Sequence, residues 1–261
     1  MYDVAAMDAA LSGTIFTGKL HFAPVTGSTN SDAMEAARSG APHGSVYFAD
    51  EQTAGRGRGD HTWESSAGAG LYVSVLLRQV IELKNLAVVP LVAGLAAAQA
   101  IFLASRLKVD LRWPNDLLIG ERKAGGILVE SKAERGEVSH VVIGIGINVH
   151  QRTFDPGLST PATSLDLEAG VRVSRQELLI WLLKSLQSET ALLHDPVVVA
   201  AIPARVAGRS TWIWNRKVEV HGPQACEGVT AGLDENGFLL VRTGAGMVTV
   251  QTGGIRAAKA E

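Results

Sequence analysis

The chain has one cysteine, no excess of positive charge and no lysine or arginine among residues 1–10, and each shortage narrows the possible classes of protein. Cys226 alone cannot form an internal disulfide and is typical of a reducing compartment, so we expect a cytoplasmic location. A formal net charge of −2 disfavours broad adsorption to nucleic acid or membranes, which needs a basic surface. Residues 1–10 hold two aspartates and no lysine or arginine, so we expect no signal peptide.

What the chain does contain is enough apolar material for a substantial core. Its 261 residues are 46% hydrophobic, which suits one catalytic domain with a small appended one. Residues 86–104 are uncharged over nearly a membrane-spanning length. Alanine and valine dominate them and no basic cluster flanks them, so we favour a buried helix over residues 90–107 to a transmembrane span.

Periodic apolar patterns predict an α+β fold, with a mixed sheet flanked by helices. Strands are expected at 45–50, 71–78, 109–113, 124–131 and 138–149, and helices at 29–38, at 90–107 and after the capping box Ser174-Arg-Gln-Glu177. Beyond residue 209, short apolar runs at 217–221, 228–233, 238–242 and 247–251 alternate with turns. This spacing predicts a small β-barrel, so we divide the chain into domains 1–209 and 210–261.

A glycine- and arginine-rich loop, residues 52–63, is the strongest chemical signal. Its glycines let backbone N–H groups approach a ligand closely. Arg56 and Arg58 can each donate a fork of hydrogen bonds to a carboxylate or a phosphate. The alternative is a flexible, solvated turn.

Two further polar clusters follow the long helix. Pro114 forces an extended backbone at Trp113, so a strand stops there and presents Asn115 and Asp116 at its end. Asp116 can hold Mg²⁺ and Asn115 can orient a phosphate from this place. An ordinary Asn-Asp turn is equally compatible. Lys123 precedes two glycines and a buried strand, where its charge can serve a transition state. A charged hairpin with a solvated lysine is the alternative.

Gly144 and Gly146 lie two residues apart in a predicted strand and therefore fall on one face. The missing side chains leave room for a flat ligand, although close packing of a helix explains the pattern too. This segment lacks the third glycine and the opening helix of a dinucleotide fingerprint, and no G-x-x-x-x-G-K-[ST] occurs in the chain. A nucleotide would therefore bind by another architecture.

In this order, the clusters resemble the biotin–protein ligases, which attach biotin to biotin carboxyl carrier domains. The resemblance runs from about Val25 to the C-terminus. It rests on Ser28-Thr-Asn30, Gln52-Thr-Ala-Gly-Arg-Gly-Arg58, Trp63, Trp113-Pro-Asn-Asp116, Arg122-Lys-Ala-Gly-Gly-Ile-Leu-Val-Glu130 and Gly144-Ile-Gly-Ile-Asn148. The resemblance implies a catalytic domain like that of class II synthetases and biotin ligases, with an SH3-like C-terminal domain.

It also implies a two-step reaction, in which MgATP activates biotin to biotinyl-5′-AMP and a carrier lysine then receives the biotin. The residues implied for biotin are Ser28, Thr29, Asn30, Gln52, Gly55, Arg56, Gly57, Arg58, Lys123, Gly126, Gly144 and Gly146. Those implied for ATP are Arg58, Trp63, Arg112, Asn115, Asp116, Lys123 and Asn148, with Trp63 near the adenine and Asp116 on Mg²⁺. Lys123, Arg56 and Arg58 are the implied catalytic residues. A pairing of two subunits is left open.

The sequence departs from the family at two places. Asp60-His61 stands where the family loop usually continues with Gly-Arg, so we expect weaker anion attraction and faster leakage of the adenylate. Arg112 stands where many members have lysine, which changes the shape of the charge at that place.

Other functions compete with biotin ligation. Lipoate– or octanoate–protein ligation on a related fold is the nearest alternative, although the glycine-arginine loop favours biotin. A biotin-responsive DNA-binding repressor is disfavoured, because the 27 residues before Ser28 are too few for a helix-turn-helix and include one lysine and no arginine. A non-catalytic carrier-binding module would make the lysine and the arginines dispensable.

Overall fold

Seven strands form the main sheet in a computed structural model, which describes residues 2–59, 61–78, 81–134, 137–191 and 193–258. The strands are β1 (Leu20–Thr26), β2 (Val46–Gln52), β3 (Gly70–Leu77), β4 (Asp110–Arg112), β5 (Asp116–Ile119), β6 (Arg122–Glu134) and β7 (Glu137–Asn148). Their order is β1-β2-β3-β7-β6-β5-β4, with β1 parallel to β2 and the other pairs antiparallel. The predicted mixed α+β sheet is confirmed.

Helices flank this sheet. They are α1 (Val4–Ala10), α2 (Thr29–Arg38), α3 (Val89–Ser105), α4 (Leu165–Ala169), α5 (Arg175–Thr190) and α6 (Pro196–Ala207). A 3₁₀ helix, Leu83–Val88, leads into α3. Residues 83–105 together are long and apolar enough to cross a membrane, but 67% of their most apolar stretch is buried in the protein. Because α3 packs against α5 and against β4, β5 and β6, it is the core helix that the sequence predicts.

The N-terminus of α5 follows its sequence signature closely. Ser174 Oγ accepts a hydrogen bond from the backbone N–H of Glu177 at 3.2 Å, which satisfies one of the free donors of the first turn. The leucines at helical spacing, Leu178, Leu179, Leu182, Leu183 and Leu186, are all buried. The helix is therefore fixed by one cap and one apolar face.

A second, antiparallel sheet lies at the C-terminus, where the sequence predicts a small β-barrel, and we call this sheet the barrel. Its strands are β8 (Trp214–His221), β9 (Cys226–Leu233), β10 (Leu239–Thr243), β11 (Gly246–Val250) and β12 (Gly254–Ala257). Their order is β11-β10-β9-β8-β12. Four of the five strands are where the sequence predicts them, and the fifth, β12, is short and has no clear apolar alternation.

The barrel and the main sheet share one apolar core, which contains buried residues of both. Trp113 also donates a hydrogen bond from its indole Nε1 to the Gly237 carbonyl of the barrel at 3.0 Å. The barrel is therefore fixed beside the end of β4. The residues predicted to bind phosphate and Mg²⁺, Asn115 and Asp116, follow this strand in the chain.

Candidate active site

One cavity of about 750 Å³ lies between the main sheet, the glycine-arginine loop and the barrel. Nearly all the predicted site residues line it: Ser28, Thr29, Asn30, Gln52, Arg56, Gly57, Arg58, Trp63, Arg112, Asn115, Asp116, Lys123, Gly126, Gly144, Gly146 and Asn148. Gly55 is the exception, because it shapes the loop instead. The sequence clusters therefore converge on one place, although they are spread over more than a hundred residues.

Gly144 and Gly146 of β7 form the glycine floor of this cavity. A Cβ atom at Gly144 would overlap Oδ1 of Asn30, and one at Gly146 would lie 2.6 Å from Cε2 of Trp63. Trp63 also approaches Gly126, where a Cβ would lie 3.5 Å from its ring. Only glycine lets the Trp63 indole and the Asn30 amide lie this close to the strand.

A polar network surrounds the glycine floor at the N-terminus of α2. The Thr29 N–H donates to Gln52 Oε1 at 2.9 Å, and the Thr29 and Ser74 hydroxyls are 2.8 Å apart. Ser74 Oγ donates to Asn30 Oδ1 at 2.5 Å, and Asn30 Nδ2 donates to Glu130 Oε2 at 2.8 Å. These linked side chains present fixed donors and acceptors at one end of the cavity, which suits a ligand with a polar ring.

The described residues of the loop, 55–59 and 61–63, form a narrow hairpin, which we call the lid. Its strands pair through Trp63 N–H to the Gly55 carbonyl at 2.9 Å and Gly57 N–H to the His61 carbonyl at 2.7 Å. A Cβ atom at Gly55 would overlap the Trp63 carbonyl, so glycine is required for this pairing. His61 lines the cavity, whereas Asp60 lies outside the described residues.

The two lid arginines contact different parts of the protein. Arg56 makes a two-pronged contact with Glu130, at 2.6 and 3.1 Å. Arg58 donates to the Gly253 carbonyl of the barrel at 2.7 Å. Burial lowers the pKa of Arg58, and the negative charge of Asp116 partly opposes this shift. The lid is thus bonded to β6 on one side and to the barrel on the other.

Three charged residues, Arg112, Asp116 and Lys123, form what we call the charge cluster. Lys123 Nζ lies 2.5 Å from Asp116 Oδ1, and Arg112 Nη2 lies 2.6 Å from Asp116 Oδ2. Burial alone would raise the pKa of Asp116, but the positive charges of Lys123 and Arg112 lower it below its usual value. Lys123 Nζ is also 5.6 Å from the centre of the Trp63 ring.

The two asparagines that are predicted to bind phosphate, Asn115 and Asn148, donate hydrogen bonds from their side-chain amides to backbone carbonyls of the protein. Asn115 Nδ2 donates to the Ile127 carbonyl at 2.7 Å, and Asn148 Nδ2 donates to the Thr163 carbonyl at 3.0 Å. Both side chains line the cavity, so their phosphate roles stay predictions. Asn115 is thereby bonded to β6, and Asn148, at the end of β7, is bonded to the loop at Thr163.

Two walls of the cavity carried no functional signal in the sequence. Residues 151–160 form one, with Phe154 and Leu158 among them, and barrel residues 221–223 and 252–256 form the other. Gly222-Pro223 marks a turn, but a turn signal does not say what the turn faces. The packing of the barrel against the lid brings residues 221–223 and 252–256 to the site.

The donors present do not fit a dedicated Mg²⁺ site. Asp116 has one oxygen on Lys123 and the other on Arg112. Among the residues that the structure describes, no three His, Cys, Asp or Glu side chains are grouped so as to hold a metal ion. A magnesium ion that arrives with ATP would therefore depend mainly on phosphate oxygens and water.

Comparison with known proteins shows the family to which this chain belongs. The profile of the Biotin/lipoate A/B protein ligase family matches residues 22–148. The chain is 33% identical over 237 residues to the biotin--[acetyl-CoA-carboxylase] ligase of Mycobacterium tuberculosis, which covers 88% of this chain and 85% of that protein. The chain therefore belongs to the Biotin/lipoate A/B protein ligase family.

Within this family, the similarities are to biotin ligases. The structure of the biotin protein ligase from Aquifex aeolicus in complex with biotin and ATP matches with a TM-score of 0.79 at 28% identity, over 92% of this chain and 98% of that one. The bifunctional ligase/repressor BirA of Bacillus spizizenii is 42% identical over 158 residues, 60% of this chain. That alignment spans about half of the Bacillus protein, 49% of its length.

Proposed function

We propose that this protein activates biotin with ATP to biotinyl-5′-AMP and transfers the biotin to a lysine of a biotin carboxyl carrier domain. The observation that carries the proposal is a single cavity that joins a polar network, a glycine floor and a charge cluster under an arginine-bearing lid. The polar network suits the polar ring of biotin, the glycine floor suits its acyl chain, and the charge cluster suits a phosphate. The similarity to the Aquifex aeolicus ligase, whose structure holds biotin and ATP, supports this substrate pair.

In the first step, a carboxylate oxygen of biotin bonds to the α-phosphorus of ATP, and the bond from that phosphorus to the pyrophosphate oxygen breaks. Negative charge accumulates on the phosphoryl oxygens, which positive groups held in place can stabilise. Lys123 supplies an ammonium group at the centre of the charge cluster, and Arg58 supplies a second charge from the lid. Mg²⁺ bound to the ATP phosphates would neutralise further charge.

In the second step, the neutral amine of the carrier lysine attacks the acyl carbon, and the bond from that carbon to the AMP oxygen breaks. The amine loses a proton, and AMP leaves with the electron pair of the broken bond. The mixed anhydride also reacts with water, so the lid must exclude solvent until the carrier arrives. The contacts of Arg56 with Glu130 and of Arg58 with the barrel hold the lid over the cavity.

We assign the polar end of the cavity to the biotin ring. Ser28, Thr29, Asn30 and Gln52 lie there, and the ureido group offers both N–H donors and a carbonyl acceptor to match them. The dithiolane of lipoate and the alkyl end of octanoate offer no such groups. A buried polar site rejects a ligand that leaves its donors and acceptors unpaired, which favours biotin over both alternatives.

The remaining expectations belong to the same proposal. MgATP is the nucleotide substrate, a biotin carboxyl carrier domain is the protein partner, and the protein acts in the cytoplasm without nucleic acid or membrane. Trp63 near the adenine, Asn115 and Asn148 on phosphates, and a homodimer stay predictions of the family resemblance.

Exchange of labelled pyrophosphate into ATP tests the proposal with biotin, lipoate and octanoate in parallel. We expect exchange with biotin alone and its loss in Lys123→Ala. Lys84→Ala is the matched control, because Lys84 pairs with Glu82 on the surface at 2.9 Å. Exchange with lipoate but not with biotin would overturn the substrate assignment. Unimpaired exchange in Lys123→Ala would remove that lysine from its role.

A further inference from the structure

Arg112, which the family resemblance assigns to ATP, uses its guanidinium on protein groups. Its Nε and Nη2 donate to Asp116 Oδ2 at 3.1 and 2.6 Å, and Nη2 also donates to Thr160 Oγ1 at 3.0 Å. The residue is only 6% exposed. A buried guanidinium with these partners is held in one orientation.

Asp116 divides its two oxygens between the two cations of the charge cluster. Arg112 takes Oδ2, and the ammonium of Lys123 lies 2.5 Å from Oδ1. Because Arg112 holds one side of the carboxylate, the plane and the direction of the other side are fixed as well. The position of the Lys123 ammonium therefore depends on a residue that it does not contact.

Trp212, in the segment between α6 and β8, packs against the Arg112 guanidinium. The Arg112 Cζ atom lies 5.2 Å from the centre of a Trp212 ring, and the Arg216 Cζ atom of β8 lies 3.9 Å from it. Trp212 is 2% exposed. Arg216 also donates to Glu121 at 2.7 Å, two residues before Lys123 in the chain. The start of the barrel thus contacts both Arg112 and the turn that leads into β6, the strand of Lys123.

We infer that Arg112 is a positioning residue, which orients Lys123 through Asp116 and is held in place by Trp212. The inference rests on the proposed function for the step that Lys123 serves. An arginine suits this task better than a lysine would, because a planar guanidinium can pack its face on an indole while its edge donates two hydrogen bonds to a carboxylate. A lysine ammonium cannot do both.

A double-mutant cycle on biotin-dependent pyrophosphate exchange tests the inference. Arg112→Met should lower kcat about 10-fold or more and change the KM for ATP by less than about twofold, because it misplaces the lysine without removing a substrate contact. In the Asp116→Asn variant the same substitution should change kcat little, because the carboxylate that connects Arg112 to Lys123 is already missing. Arg112→Lys should recover part of the loss. Arg205→Met, which breaks the surface pair with Glu189, is the matched control.

A second readout needs no activity. Titration of the Asp116 carboxyl carbon by NMR should give a higher pKa in Arg112→Met than in the unsubstituted protein, and the same pKa in Arg205→Met. Trp212→Leu, which keeps every hydrogen-bond partner of Arg112, should shift the same signal in the same direction and lower kcat. Urea unfolding of each variant confirms that the fold is retained.

The outcomes separate the two claims. A raised KM for ATP in Arg112→Met that persists on the Asp116→Asn background would make Arg112 a direct ATP ligand and overturn the inference. An unchanged Asp116 signal in Arg112→Met would overturn it too. No exchange with biotin by the unsubstituted protein would refute the proposed function instead, and the carboxyl titration would then decide the positioning role alone.

Discussion

Single glycines determine how close other groups come to the strands that line the cavity. Gly146 faces Trp63 so closely that a Cβ atom would lie 2.6 Å from the indole. Gly146→Ala should therefore push Trp63 away from the glycine floor and weaken biotin binding roughly 10-fold or more, the range expected for overpacking. Calorimetric titration with biotin and the tryptophan fluorescence of the variant measure both effects.

Gly244→Ala is the matched control for that substitution. A Cβ atom at Gly244 would meet nothing within 4 Å, so biotin affinity and fluorescence should not change. Equal affinities of Gly146→Ala and the unsubstituted protein would show that biotin does not depend on the packing of Trp63 on the glycine floor.

Asp116 should make the stability of the protein depend on pH in acid. Its pKa in the folded protein lies below the value of about 3.9 that the unfolded chain has, so its ionised form stabilises the fold. This contribution is present above about pH 4 and is lost as the pH falls through the folded-state pKa. The difference in the free energy of unfolding between the unsubstituted protein and Asp116→Asn should shrink between pH 6 and pH 3, measured by urea unfolding. A difference that stays constant would contradict the assignment.

At the scale of elements, the lid depends on the strand beneath it. Glu130 of β6 holds Arg56, but the two side chains are 28% and 43% exposed, so their pairing contributes at most about 1 kcal/mol. Glu130→Gln should speed the release of biotinyl-5′-AMP by roughly fivefold or less, measured by chasing labelled adenylate from the protein. Glu189→Gln breaks the comparable pair with Arg205 and should leave release unchanged.

The lid sequence itself gives a second prediction about adenylate retention. Asp60, which lies outside the described residues, adds a negative charge to a loop that we propose to hold an anion, and His61 stands where the family resemblance implies an arginine. The double substitution Asp60→Gly with His61→Arg should slow release of the adenylate in the same chase. If release is as fast as before, the departure from the family pattern has no bearing on retention.

Elements with strong local signals were predictable, and those defined by contacts were not. Helix α5 follows from its capping box and leucine spacing, because both act within a few residues. Strand β1 was missed because Pro24 interrupts it and its partly exposed residues do not alternate; it forms at the sheet edge by pairing with β2. Strand β5 was hidden behind the turn signal of Asn115 and Asp116.

For the candidate site, the sequence predicted the residues but not their partners. Lys123, Arg56 and Arg58 predict an anion-binding site, because lysine and arginine are the side chains that bind carboxylate and phosphate groups through a permanent positive charge. That Arg56 meets Glu130 and that Arg58 meets Gly253 depends on how distant segments pack, which one sequence does not reveal. The positioning role of Arg112 was missed for the same reason, because Trp212 lies a hundred residues away.

At the scale of the whole molecule, the barrel is a wall of the active site as well as an appended domain. It accepts a hydrogen bond from Trp113, bonds the lid through Arg58 and packs Trp212 and Arg216 near the charge cluster. The domain boundary that we predict at residue 209 rests on the change in secondary-structure pattern. The cavity, however, is lined by residues from both sides of that boundary. The main sheet, the lid and the barrel together enclose the cavity.

The proposed function is tested most directly by the transfer of biotin to a carrier domain. The full chain, incubated with biotin, MgATP and a biotin carboxyl carrier domain, should add one biotin to one carrier lysine, detected by mass spectrometry of the intact carrier and its peptides. Lys123→Ala should give no adduct and Lys84→Ala the full amount. A carrier that stays unmodified by the unsubstituted protein, or that is modified equally by Lys123→Ala, would contradict the account.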